Sequence, residues 1–246
     1  MQCAERRSRR PASCPRVARR ARLDDFGESH VSLVYQPGRG ALTCRSLWRH
    51  REAIAFADGT TVMAEYGAGT MRELQVFYAP RFDYSVGGGY IDFTSDVNGQ
   101  AEHITYTRLN WLAHRWNLDA AQANVFVWGG AGAATGNRFS GTQFVGNAGL
   151  QADYETRRIY ASLKTDLQQS SNFSNRVDTV QLGLAPYKHD YGGLATWFVF
   201  QARNYTGALH TGIETAALLR LFKGGAWVEA GITRGGKLQA MAMFNF

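Results

Sequence analysis

Side chains from Arg158 to Leu167 alternate without a break. Arg158, Tyr160, Ser162, Lys164 and Asp166 fall on one face, and Ile159, Ala161, Leu163, Thr165 and Leu167 on the other. A period of two is the geometry of a strand with one wet and one apolar face, not the roughly 3.6-residue repeat of a helix. Residues 143–154 repeat it, setting Gln143, Asn147, Gln151 and Asp153 against Phe144, Gly146, Ala148, Leu150, Ala152 and Tyr154. Residues 196–203 oppose Phe198, Phe200 and Ala202 to Gln201 and Arg203, and residues 213–221 oppose Ile213, Ala217, Leu219 and Leu221 to Glu214 and Arg220.

The same pattern predicts twelve strands, at 60–69, 72–80, 84–94, 102–113, 121–132, 143–154, 157–167, 176–186, 194–204, 211–222, 225–233 and 237–246. Their lengths approach the ~9–11 residues that a tilted strand needs to cross a bilayer. Turn-forming runs separate them, among them Gly67-Ala68-Gly69, Asp96-Val97-Asn98-Gly99, Ser170-Ser171-Asn172 and Gly235-Gly236. Beyond residue 52 the prolines are Pro80 and Pro186, both expected in connections, where no ladder hydrogen bond is lost. The expected fold is all-β, a closed antiparallel barrel of about 12 strands within a range of 10–12.

Alternation alone serves a soluble barrel, whose apolar face points in, as well as a membrane barrel, whose apolar face points out. The last strand separates them. Residues 237–246 put Leu238, Ala240, Ala242, Phe244 and Phe246 on one face. This run resembles the C-terminal strand of Gram-negative outer-membrane β-barrels, which ends in Phe with aromatic and apolar residues at alternate positions before it. The resemblance implies a transmembrane barrel in the cell outer membrane, surrounded by lipid. It also implies that Leu238, Phe244 and Phe246 form an assembly signal read by the barrel-assembly machinery. Physical chemistry agrees, because a sheet in hydrocarbon must close to pair every backbone donor. An even strand count puts both ends of the barrel in the periplasm.

Charge divides the chain in two. Residues 1–52 hold 12 arginines against five acids, while residues 53–246 hold 15 Lys or Arg and 15 Asp or Glu, so the formal net charge of +7 belongs to the first segment. Cys3, Cys14 and Cys44 all lie there too. With a neutral body behind the arginines, nucleic acid is not an expected partner. Residues 1–52 lack the apolar run of a secretory signal and are expected to be a mis-assigned start or a disordered leader; residues 53–246 are expected to form one outer-membrane barrel domain. The longest stretch free of Asp, Glu, Lys and Arg, Ala120 to Asn137, contains Gln122, Asn124 and four glycines, which excludes a helical span.

Expected lumen-facing residues are Glu65, Glu73, Arg108, Asp153, Arg158, Lys164, Asp166, Arg203, Glu214, Arg220 and Glu229, with Asn110 and Lys237 beside them. Their signs are mixed, so no single-sign ring selects an ion. Met241 and Met243 face inward on the last strand and Met63 faces inward on the first, so three thioethers could attract Cu(I), although flexible packing explains them more cheaply. Otherwise no metal or cofactor is expected. His103, His114, His189 and His210 lack metal-ligand spacing, and Gly87-Gly88-Gly89 lies within a strand rather than a phosphate loop. Tryptophans 111, 116, 128, 197 and 227 include candidates for interfacial girdles.

The expected function is a narrow channel for small solutes, or a structural or accessory surface component. The alternatives are an outer-membrane lipid-modifying enzyme, in which His103 would meet Ser95 or Asp96, and a soluble barrel binding an apolar ligand. The residues favour a non-enzymatic role.

Overall fold

The computed structural model describes residues 59–246 apart from 96–97, 189–192, 208 and 210–211. The leader with its three cysteines, residues 53–58 of the expected barrel domain, and Asp96, His189 and His210 therefore lie outside the described residues.

Twelve strands follow one another: β1 (Gly59–Gly67), β2 (Met71–Arg81), β3 (Tyr84–Thr94), β4 (Ala101–Asn117), β5 (Ala121–Gly136), β6 (Gln143–Thr156), β7 (Ile159–Gln169), β8 (Ser174–Leu184), β9 (Ala195–Thr206), β10 (Gly212–Lys223), β11 (Ala226–Thr233) and β12 (Leu238–Asn245). Each pairs antiparallel with its sequence neighbours, and β1 pairs with β12 from Thr61 opposite Asn245 to Gly67 opposite Gln239. The sheet is thus a closed barrel with no free edge.

Two register shifts refine the expected strands. One falls between Tyr78 and Arg81 and contains Pro80, which is the penultimate residue of β2 instead of lying in a connection, at the place where the ladder is already interrupted. The other falls between Leu112 and His114. There the inward parity of β4 changes from even to odd, so Arg115 turns inward and the strand continues to Asn117, beyond the point where simple alternation stops.

β1, β3, β5, β7, β9 and β11 end, and the strands that follow them begin, at one rim, here the upper. β2, β4, β6, β8 and β10 end, and the strands that follow them begin, at the lower rim, where Gly59 and Phe246 also lie. In the first hairpin Ala68 and Gly69 take φ of 50° and 81°, and the Thr70 amide donates to the Gly67 carbonyl at 2.9 Å. Inward glycines make room for large neighbours: a Cβ at Gly149 would sit 2.4 Å from the Trp128 indole, and one at Gly89 would sit 2.6 Å from the Tyr106 hydroxyl.

The two faces of the wall differ sharply. Outward, large apolar side chains stand exposed on ten of the twelve strands, including Leu74, Leu109, Leu163, Leu182, Phe200 and Phe244. Inward, charged and amide side chains are buried with aromatic ones, so the core is the barrel interior itself.

Candidate functional site

The upper interior is apolar. Met71, Ile91, Phe93, Ile104, Val145, Val177 and Tyr205 form a buried cluster, against which Phe139 and Leu209 pack from the connections. The Phe139 and Phe173 rings stack at 5.6 Å. At the same rim Glu102, fully buried, accepts a hydrogen bond from Asn175 Nδ2 at 2.8 Å and lies 3.9 Å from Arg138 NH1.

The middle of the barrel holds a network of opposite charges. Arg108 donates to Gln75 Oε1 at 3.1 Å and to Asp166 Oδ1 at 3.3 Å, and its guanidinium lies 5.0 to 5.3 Å from the Tyr106, Phe77 and Trp128 rings. Asp166 also receives Lys164 Nζ at 2.8 Å and Trp128 Nε1 at 2.9 Å. The Tyr106 hydroxyl donates to Glu73 Oε1 at 2.6 Å, and Arg203 pairs with Glu65. Each carboxylate has a donor, which is the condition for holding charge in a poorly hydrated interior.

Lower down, Arg220 Nε meets Glu229 Oε1 at 2.7 Å, and the Trp227 indole donates to the same oxygen at 2.8 Å. Arg220 NH2 donates to Gln181 Oε1 at 2.7 Å, and the Gln181 amide donates onward to Gln201 at 2.8 Å. On the other wall Arg115 donates to Asn124 at 2.7 Å, and Asn124 and Gln151 donate to Asp153 at 2.7 and 3.1 Å. Hydrophobic clusters that include Tyr160, Trp197 and Phe222, and Leu112, Phe126 and Trp128, pack around these groups. What is left open is a mid-barrel cavity of about 150 Å³ lined by Glu65, Arg108, Lys164, Arg203, Glu229 and the three inward methionines, among others. A smaller one of about 20 Å³ lies beneath the upper cluster beside Glu73 and Asp166.

Of the sequence-derived lumen candidates, the structure brings Glu65, Glu73, Arg108, Lys164, Asp166 and Arg203 into the middle network and Arg220 and Glu229 into the lower one. Asp153 joins the Arg115 side, and Glu214 lies on the inner face of β10 with Oε1 buried and unpartnered. Arg158 is placed differently. It lies in the turn before β7, exposed, and donates to the Ala185 and Pro186 carbonyls at 3.2 and 3.3 Å, because the chain is still turning where the alternation already begins. Lys237 likewise lies in an upper connection, exposed. Leu238, Phe244 and Phe246 face outward and are 56%, 49% and 78% exposed.

His103 faces outward on β4, with Nδ1 2.9 Å from the Tyr90 hydroxyl and 3.5 Å from Asp92 Oδ1. Ser95, its proposed neighbour, is 4% exposed in the upper connection. His114 packs against Trp116 at 4.2 Å. Trp111 and Trp116 are exposed on the outer wall, whereas Trp128 and Trp197 are buried inside and Trp227 lines the cavity. Buried groups missing from the sequence reading are Glu102 with Asn175, Tyr106, and Arg115 with Asn124. Arg115 needs the β4 bulge to be found, while Tyr106 shares the inward parity of Arg108.

Fold and interior define the class: a closed twelve-stranded antiparallel β-barrel whose lumen is occupied by its own paired charges and rings. No protein-family model and no curated protein matches the chain. One solved structure, from work on the mechanism behind in-meso crystallization of membrane proteins, is similar over 76% of this chain and 82% of its own, at 12% identity and a TM-score of 0.38. A likeness that faint carries no argument about what the barrel does.

Proposed function

We propose that this chain is an outer-membrane β-barrel that is closed to solutes at rest and serves as a structural or accessory component of that membrane. The observation that carries the reading is the outer wall, with large apolar side chains exposed on ten strands while ion pairs are sequestered inside. Contiguous exposed apolar patches on soluble monomers rarely exceed about 300–600 Å², and lipid is the solvent that a larger apolar wall matches. The closed β1–β12 seam supports the same reading, since no backbone edge meets hydrocarbon. The outward Leu238, Phe244 and Phe246 are the surface that the barrel-assembly machinery would engage.

Occlusion supports the accessory role over an open pore. The buried apolar cluster of Met71, Phe93, Ile104 and Tyr205 lies above the cavity, and a volume of about 150 Å³ is near that of a site for one benzene-sized molecule. A narrow channel for small solutes is the second reading, favoured by the charged and amide side chains among the residues around that cavity, such as Lys164, Arg203 and Gln201, and it requires the upper apolar cluster to move.

The test is to export the full chain behind a known secretion signal, isolate outer membranes and compare electrophoretic mobility with and without boiling. A membrane-bound species whose mobility shifts on boiling is expected. A soluble, heat-insensitive product would overturn the membrane reading in favour of a water-soluble barrel.

A further inference from the structure

We propose that Met63, Met241 and Met243 form a binding site for one soft monovalent cation, Cu(I) or its redox-stable counterpart Ag(I), at the seam where β1 closes on β12. Met63 and Met243 are direct cross-strand partners, and Met241 follows two residues along the same inward face. All three line the mid-barrel cavity. Directly opposed residues of an antiparallel pair hold their Cβ atoms ~4.5–5.5 Å apart and diagonal ones ~7–8 Å apart. Unbranched thioether side chains with three rotatable bonds span both separations.

The surroundings favour ligation over packing. Packing methionines want apolar neighbours, yet Met241 sits between Glu65 on β1 and Glu229 on β11. Gln239, the next inward residue of β12, is 4% exposed and lines the same cavity with Oε1 unpartnered, a neutral oxygen donor beside the sulfurs. The carboxylates around the cavity are already committed, Glu65 to Arg203 and Glu229 to Arg220 and Trp227. Carboxylates compensated in this way offer little to Mg²⁺ or Ca²⁺, and thioether donors select a soft cation. Among the described residues no group of three or more His, Cys, Asp and Glu could hold a metal ion, so Zn²⁺ has no competing site there.

The test uses the full chain with Cys3, Cys14 and Cys44 replaced by Ser, because free thiolates would mask a thioether site. The folded barrel in detergent is titrated calorimetrically with Ag(I), and Cu(I) is measured by competition with a chromophoric chelator. One cation per chain is expected, with Met63→Leu, Met241→Leu and Met243→Leu each weakening binding about tenfold or more. Met71→Leu, in the upper apolar cluster, leaves binding unchanged. A parent that binds no Ag(I), or a folded triple Leu variant that binds as tightly as the parent, would overturn the site. Should the triple variant fail to fold, peroxide oxidation of the parent decides by mass spectrometry. Ag(I) slows sulfoxide formation at residues 63, 241 and 243 relative to Met71 if the site exists, and equal rates with and without Ag(I) overturn it.

Discussion

Arg220 and Glu229 meet across the β10–β11 pair with Nε 2.7 Å from Oε1, both side chains 5% exposed. The Arg220 guanidinium is sandwiched 4.3 Å from the Tyr160 ring and 4.4 Å from the Trp227 ring. Removing one member of such a pair leaves a buried charge without its partner, at a cost of about 3–5 kcal/mol. Arg220→Ala and Glu229→Ala are therefore expected to lower the urea midpoint of the detergent-folded barrel steeply. The double variant Arg220→Met with Glu229→Leu loses less than either single, since no orphaned charge is left. Single losses below about 1 kcal/mol would mean that water reaches the pair.

The occluded reading places two layers across the lumen, the upper apolar cluster and the charge pairs beneath it, and planar-bilayer conductance can distinguish them. The wild-type barrel is expected to show no steady conductance. Replacing Phe139 and Phe173 with Ala removes the stacked pair of the upper cluster but leaves the Arg108–Asp166–Lys164 and Arg203–Glu65 pairs beneath it. That variant stays closed, and conductance appears once Arg108 and Arg203 are also changed to Ala. Conductance in the first variant alone would locate the barrier entirely in the aromatic pair. An open wild-type pore would overturn the occluded reading.

Alternation reveals the strand count and most of the inner face because each inward position is two residues from the next. The parity that turns Asn124 inward on β5 also turns Trp128 inward, and the parity of Gln201 and Arg203 on β9 carries Trp197 with them. Arg115 escapes this logic because a bulge at Leu112 reverses the parity of β4, and a bulge leaves no mark in a hydrophobic pattern. Arg158 has the parity of the wet face of β7, yet it sits in a turn and binds carbonyls 27 and 28 residues away. Glu102 and Asn175 meet across 73 residues of sequence, and Phe139 reaches the interior from a connection. Such contacts come from closure of the barrel, which no local period encodes.

A charge placed on the outer wall tests what that wall faces. Leu182 stands outward on β8 between Val180 and Leu184, and all three are exposed. In a lipid-facing wall Leu182→Lys, two residues from the lower end of β8, is expected to cost more than about 1 kcal/mol and at most the ~2–4 kcal/mol of a site at the bilayer midplane, read as a shifted unfolding midpoint in phospholipid vesicles. On a water-facing wall the same change stays within about 0.5 kcal/mol and improves solubility.

Phe246 separates assembly from stability. Its ring is 78% exposed, so it contributes little to packing. Its backbone amide donates to the Thr60 carbonyl at 3.0 Å, and the Thr60 amide donates to its carbonyl. Phe246→Ala keeps both of these backbone bonds. The purified, detergent-refolded variant is therefore expected to unfold within about 0.5 kcal/mol of wild type, as for other exposed substitutions. In cells the same variant yields less folded, heat-modifiable barrel in the outer membrane, because the outward aromatic that the assembly machinery would read is gone. Equal yields in cells would remove Phe246 from the assembly signal, and equal losses in both settings would assign it to the stability of the β1–β12 seam.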